Sequence, residues 1–267
     1  MTSLSFPIQN LKISPTFDVP SSLYNCLSKV WQYSYEELYE DNTENSITLE
    51  DAIDRVLDSL ADNDVIRSHH RYIWMALILA NSVEPTIKSY LPDDTRTKQI
   101  FQSVQDRLQT PKSSSQFNAE HLISELFPQI SVGNQAIDEA FDVFQNLLRV
   151  LDRDRAKEAL IEMLEDCLEG YAIFPGSQER RDLFNWWLLE VVPASWCLGI
   201  PNAIYTIQGY ASLYKIVQRS LKIQIIWTRL RFDKIGSKQA RVPHYNIISF
   251  IEGIIGFFRR LQIKEVR

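Results

Sequence analysis

The segment from Lys157 to Leu198 constrains the fold of this chain most, because two strongly periodic helical patterns meet there at a turn. The first pattern repeats apolar residues every three or four positions, on one stripe of a 3.6-residue helix: Ala159, Leu160, Met163, Leu164, Cys167 and Leu168. The second covers more than half of its circumference with apolar residues: Leu183, Phe184, Trp186, Trp187, Leu188, Val191 and Val192. These patterns predict a helical hairpin in a buried core, with Pro193 kinking or ending the second helix near Glu190.

Similar periodicity continues along most of the chain. It predicts further helices over about 22–39, from Thr48, from Asp64 to Leu91, over 118–127 and over 134–151. We therefore predict an all-α fold, either an irregular multi-helix bundle or a helical-repeat-like stack. A short β segment stays open as an alternative near 221–232, where LKIQIIWTRLRF partly alternates and contains β-branched residues.

Charged residues are distributed unevenly along the 267-residue chain. Residues 212–267 hold 12 Lys and Arg against 3 Asp and Glu, whereas residues 1–211 hold 16 against 31. We expect an extended N-terminal arm over 1–20, an acidic helical body over 21–211 with a linker at 110–117, and a basic C-terminal region over 212–267 packed on the body. Opposite net charges favour that packing.

The sequence argues against most common enzyme and metal sites. It contains none of the glycine-rich phosphate loops, the nucleophile elbow or the HExxH pattern. His69 and His70 are adjacent, so on a helix they point about 100° apart and do not form a chelating pair. We predict a protein that is not an enzyme and has no cofactor and no metal.

The cysteines and the N-terminal residues indicate the cellular compartment in which we expect the protein. Three widely spaced cysteines suit neither a disulfide framework nor a zinc site. The opening residues MTSLSFPIQN lack the charged start and the apolar run of a signal peptide. We therefore expect a cytoplasmic protein.

Two sets of charged residues are candidates for partner binding. An acidic row on the first hairpin helix predicts a surface for another protein: Glu158, Glu162, Glu165, Asp166 and Glu169. The alternative is contact with nucleic acid or a membrane surface through cations interleaved with aromatic residues in the basic region: Lys222, Arg229, Arg231, Lys234, Lys238, Arg241, Arg259 and Arg260.

Residues 67–198 also carry a family resemblance. The matching pieces are RYIWMALILANSVEP, then YLPDDTRTKQI, then the helices that lead into RRDLFNWWLLEVVPASW. This order resembles the Imm5-type immunity proteins of bacterial polymorphic toxin systems, although the turn Pro92-Asp93-Asp94-Thr95-Arg96 has one residue more before its arginine. The resemblance implies an all-helical, non-enzymatic protein that binds and neutralises a toxin partner.

Overall fold

The structure is a computed structural model that describes residues 17–40, 47–109, 118–128, 133–169, 172–173, 180–201 and 204–205. Within these ranges every regular element is helical, which confirms the all-α prediction and the multi-helix bundle. The helices are α1 Ser21–Gln32, α2 Leu49–Ser59, α3 Val65–Tyr90, α4 Arg96–Gln109, α5 Ala119–Leu126, α6 Gln135–Arg149, α7 Ala156–Glu169, α8 Arg180–Trp186 and α9 Val192–Cys197. A short 3₁₀ helix spans Glu36–Leu38, and a π-helical turn spans Trp187–Val191.

Helix α3 forms the centre of this bundle. Its start near Asp64 agrees with the prediction, and Asp64 caps it: the carboxylate accepts the amide hydrogen of Arg67 at 3.0 Å. Every residue from Ile73 to Val83 is buried, so α3 is covered on all sides rather than along one stripe. Helices α6, α7 and α9 pack against it.

The predicted hairpin is formed by α7 and the α8–α9 segment. The apolar stripe of α7 is buried as expected, and α7 packs against α8 as well as α3 and α6. Trp187 is 1% exposed, and its indole N–H lies 3.4 Å from the sulfur of Met75 in α3. The large rings of this segment therefore serve the core.

Pro193 changes the helix without ending it. Since proline has no amide hydrogen, it cannot donate the usual bond to the carbonyl of Leu189. Immediately before it the helix widens into the π-turn that contains Glu190, and then continues to Cys197. The change in helix geometry thus lies near Glu190, as the sequence predicts, and it is a widened turn within a helix that continues.

The first helix is shorter than the predicted 22–39. It ends at Gln32, where the backbone of Tyr33 becomes extended and Arg181 of α8 hydrogen-bonds the carbonyl oxygens of Trp31 and Tyr33. The same guanidinium lies 3.1 Å from a carboxylate oxygen of Glu40. Arg181 thus supplies donors to carbonyls that have no partner within the helix.

A second buried arginine joins the start of α3 to the end of α9. Arg71 is 3% exposed, pairs with Asp62 at 3.0 Å, and donates to the carbonyl of Leu60 at 2.7 Å. Its guanidinium also stacks 3.4 Å above the ring of Trp196. Because this charge is both paired and stacked, it can remain buried.

Several predicted segments lie outside the described residues. These are most of the N-terminal arm, the 110–117 linker, the alternative strand near 221–232 and the whole basic region over 212–267. The end of the arm is described, and there the carbonyl of Asp18 accepts a hydrogen bond from Cys197 at 3.4 Å.

Replacing Trp187 by alanine tests the burial of the hairpin. We expect Trp187→Ala to lower the free energy of unfolding by about 3–5 kcal/mol, because it removes a buried indole and leaves a cavity beside α3. Tyr90→Ala is the control: that ring is 47% exposed, so its loss should cost under about 1 kcal/mol. Urea unfolding of the two variants gives both values, and equal effects would contradict the packing.

Candidate functional site

The acidic row predicted on α7 lies mainly on the solvent side of the bundle. Glu158, Glu162 and Glu165 are exposed and Asp166 is half-buried. For Glu169 the structure describes the backbone, and its side chain lies outside the described residues. The amphipathic pattern of α7 produces this arrangement, because its apolar stripe turns inward toward α3 and α6.

Helix α2 extends this acidic surface on one side. Lys157, in the first turn of α7, pairs with Asp54 at 2.7 Å and with Asp58 at 2.6 Å. Both carboxylates remain partly open to solvent, with 44% and 64% of their side-chain surfaces exposed. Asp51, three residues before Asp54, is exposed as well. These three aspartates are not part of the predicted acidic row, although their spacing of three and four places them on one side of a helix.

Helix α6 extends the surface on the other side. Arg149 of α6 lies 4.0 Å from Glu162 of α7. Asp138 and Asp142 are four residues apart on α6, and Asp142 is exposed. Although Asp142 is exposed as a residue, partial burial of its carboxyl group is the main cause that raises its pKa above the ordinary value, followed by the negative charge of Asp138. Arg149 opposes this increase, Glu162 adds a smaller one, and the hydrogen bond from Gln145 lowers the pKa. Glu162 of α7 thus acts on Asp142 of α6, more weakly than Arg149 does.

These residues form one surface, which we call the acidic face. Lys157 and Glu162 are about 140° apart around α7 and bracket its exposed arc; Lys157 contacts α2, and Glu162 lies toward α6. The exposed glutamates of α7 thus lie between the carboxylates of its two neighbours. The acidic face consists of Asp51, Asp54, Asp58, Asp138, Asp142, Glu158, Glu162 and Glu165.

The cations at one end of this face are paired with a carboxylate of α5. Glu120 lies 2.9 Å from Arg149 and 2.7 Å from Arg155. The hydrogen bond from Arg149 lowers the pKa of Glu120 below its ordinary value, and Arg155 adds to the effect. Glu120 therefore offsets part of the positive charge that would otherwise neutralise the acidic face.

His69 links α3 to the corner between α6 and α7. Its Nε2 atom lies 2.8 Å from the carbonyl oxygen of Val150, the residue that caps the C-terminus of α6. Burial lowers the pKa of His69, and the hydrogen bond to Val150 offsets only part of this effect. His69 is thus a packing residue at the boundary between α6 and α7.

The described residues bear on metal binding, on membrane-spanning helices and on the cysteines. Among them we find no group of three or more His, Cys, Asp or Glu side chains that could hold a metal ion. No helix in the described ranges has the length and apolar character needed to cross a bilayer. Cys26, Cys167 and Cys197 are free thiols. The eight Lys and Arg residues proposed for nucleic-acid or membrane contact lie outside the described residues, so that hypothesis stays a prediction.

Comparisons with protein-family models, curated proteins and solved structures found no match to the chain.

Neutralising Asp142 tests the repulsion within the acidic face. The raised pKa means that the charged carboxylate costs stability above that pKa. We expect Asp142→Asn to raise the free energy of unfolding at pH 7 by about 0.2–0.5 kcal/mol, the usual size of a like-charge effect at i, i+4. The gain should vanish as the pH falls below about 3.8, where Asp142 is protonated in both states.

Asp93→Asn is the control for this measurement, since Asp93 is exposed in the turn between α3 and α4. Urea unfolding at several pH values gives the comparison. A loss of stability in Asp142→Asn at pH 7 would contradict the repulsion.

The lowered pKa of His69 predicts a pH-dependent loss of stability. The folded state binds a proton on His69 less readily than the unfolded state does. Neutral His69 therefore makes its full contribution to the free energy of unfolding above the unfolded pKa of about 6.5, and this contribution is lost as the pH falls toward the folded pKa. Between pH 7 and 5.5 wild type should therefore lose more stability than His69→Gln, which keeps a donor for Val150 and does not titrate. Urea unfolding at several pH values gives the comparison. An equal loss of unfolding free energy in the two proteins over this range would contradict the lowered pKa of His69.

Proposed function

We propose that this protein is a non-enzymatic binding protein that recognises a basic protein partner through the acidic face. The observation that carries the proposal is the concentration of exposed carboxylates across α2, α6 and α7. The pKa of Asp142, raised by partial burial and then by the charge of Asp138, is in line with this concentration. Side chains that repel one another reduce stability, so a function that requires their negative charge accounts for the arrangement.

The shape and charge of the face suit recognition of a protein. Exposed carboxylates on three packed helices form a broad surface on rigid elements. Such a surface attracts a cationic partner over a distance of about one Debye length, roughly 8 Å at physiological salt. It therefore increases the association rate and selects against acidic partners.

The partner within this proposal is a toxin that the protein neutralises in the cytoplasm. This part is supported by the resemblance of residues 67–198 to the Imm5-type immunity proteins. Neutralisation by binding needs an accessible surface, and the exposed carboxylates of the acidic face provide one.

The experiment compares two variants with the same change in net charge. The face variant carries Glu158→Gln, Glu162→Gln and Glu165→Gln. The matched control carries Glu36→Gln, Asp93→Asn and Asp106→Asn, at exposed positions outside α2, α6 and α7. Tagged wild-type protein is used to capture its partner from cells of the source organism, and the captured protein is then purified and titrated against all three forms.

We expect the face variant to bind this partner roughly tenfold more weakly at 0.15 M salt, because three exposed ion pairs contribute about 0.5 kcal/mol each. The matched control should bind like wild type. Equal affinity of all three forms would overturn the acidic face as the binding surface. Loss of binding on neutralising Lys222, Arg229 and Arg231 instead would support the basic region.

Co-expression tests the immunity part separately. The captured partner should arrest growth when it is expressed alone, and wild-type protein should restore growth better than the face variant. A harmless partner would refute the toxin assignment and would leave the binding surface standing.

A further inference from the structure

We draw no further inference here: the strongest candidate, the buried polar side chains of Asn81 and Thr86 on either side of Pro85 in α3, carries nothing because no contact in the described part of the chain places their polar atoms against a common cavity or ligand.

Discussion

The burial of α3 on all sides is the constraint on which the rest of the described structure depends. A helix that is apolar around its whole circumference cannot lie at a surface, so other helices must surround it. Helices α6, α7 and α9 do so, and each turns its apolar residues toward α3. The outward sides of these neighbours are then free to be polar. The acidic face is therefore a consequence of the core arrangement, since α6 and α7 pack on the same central helix.

A few long-range polar contacts fix the periphery on this core. Arg71 joins the start of α3 to α9, Arg181 of α8 holds the end of α1, and Lys157 joins α7 to α2. The two arginines are largely enclosed and well supplied with acceptors, so losing either would leave buried carbonyl or carboxylate groups unpaired. Lys157 is more exposed, and its pairs with Asp54 and Asp58 contribute less to stability. Its main effect is to place two carboxylates of α2 beside α7.

Local sequence patterns are sufficient to predict the helices. They do not predict features that involve residues far apart in the sequence. The start of α3 near Asp64 and the helical periodicity of α6 and α7 follow from neighbouring residues, so the sequence predicts them. At the end of α1 the carbonyl of Trp31 is bonded by Arg181, which lies 150 residues away, and no local signal reveals this contact. The acidic row of α7 was predicted in the same way. Its continuation onto α2 and α6 was not, because periodicity shows which side of a helix is polar but not which helices become neighbours.

The central claim is that carboxylates from separate helices form one electrostatic unit, and the pKa of Asp142 tests it without a partner. NMR titration of the Asp142 side chain should give a pKa above the ordinary aspartate value in wild type, owing to burial and to the charges of Asp138 and Glu162. In Glu162→Gln the pKa of Asp142 should fall, because one negative charge on the facing helix is gone. An Asp142 pKa that does not change in this variant would contradict the account.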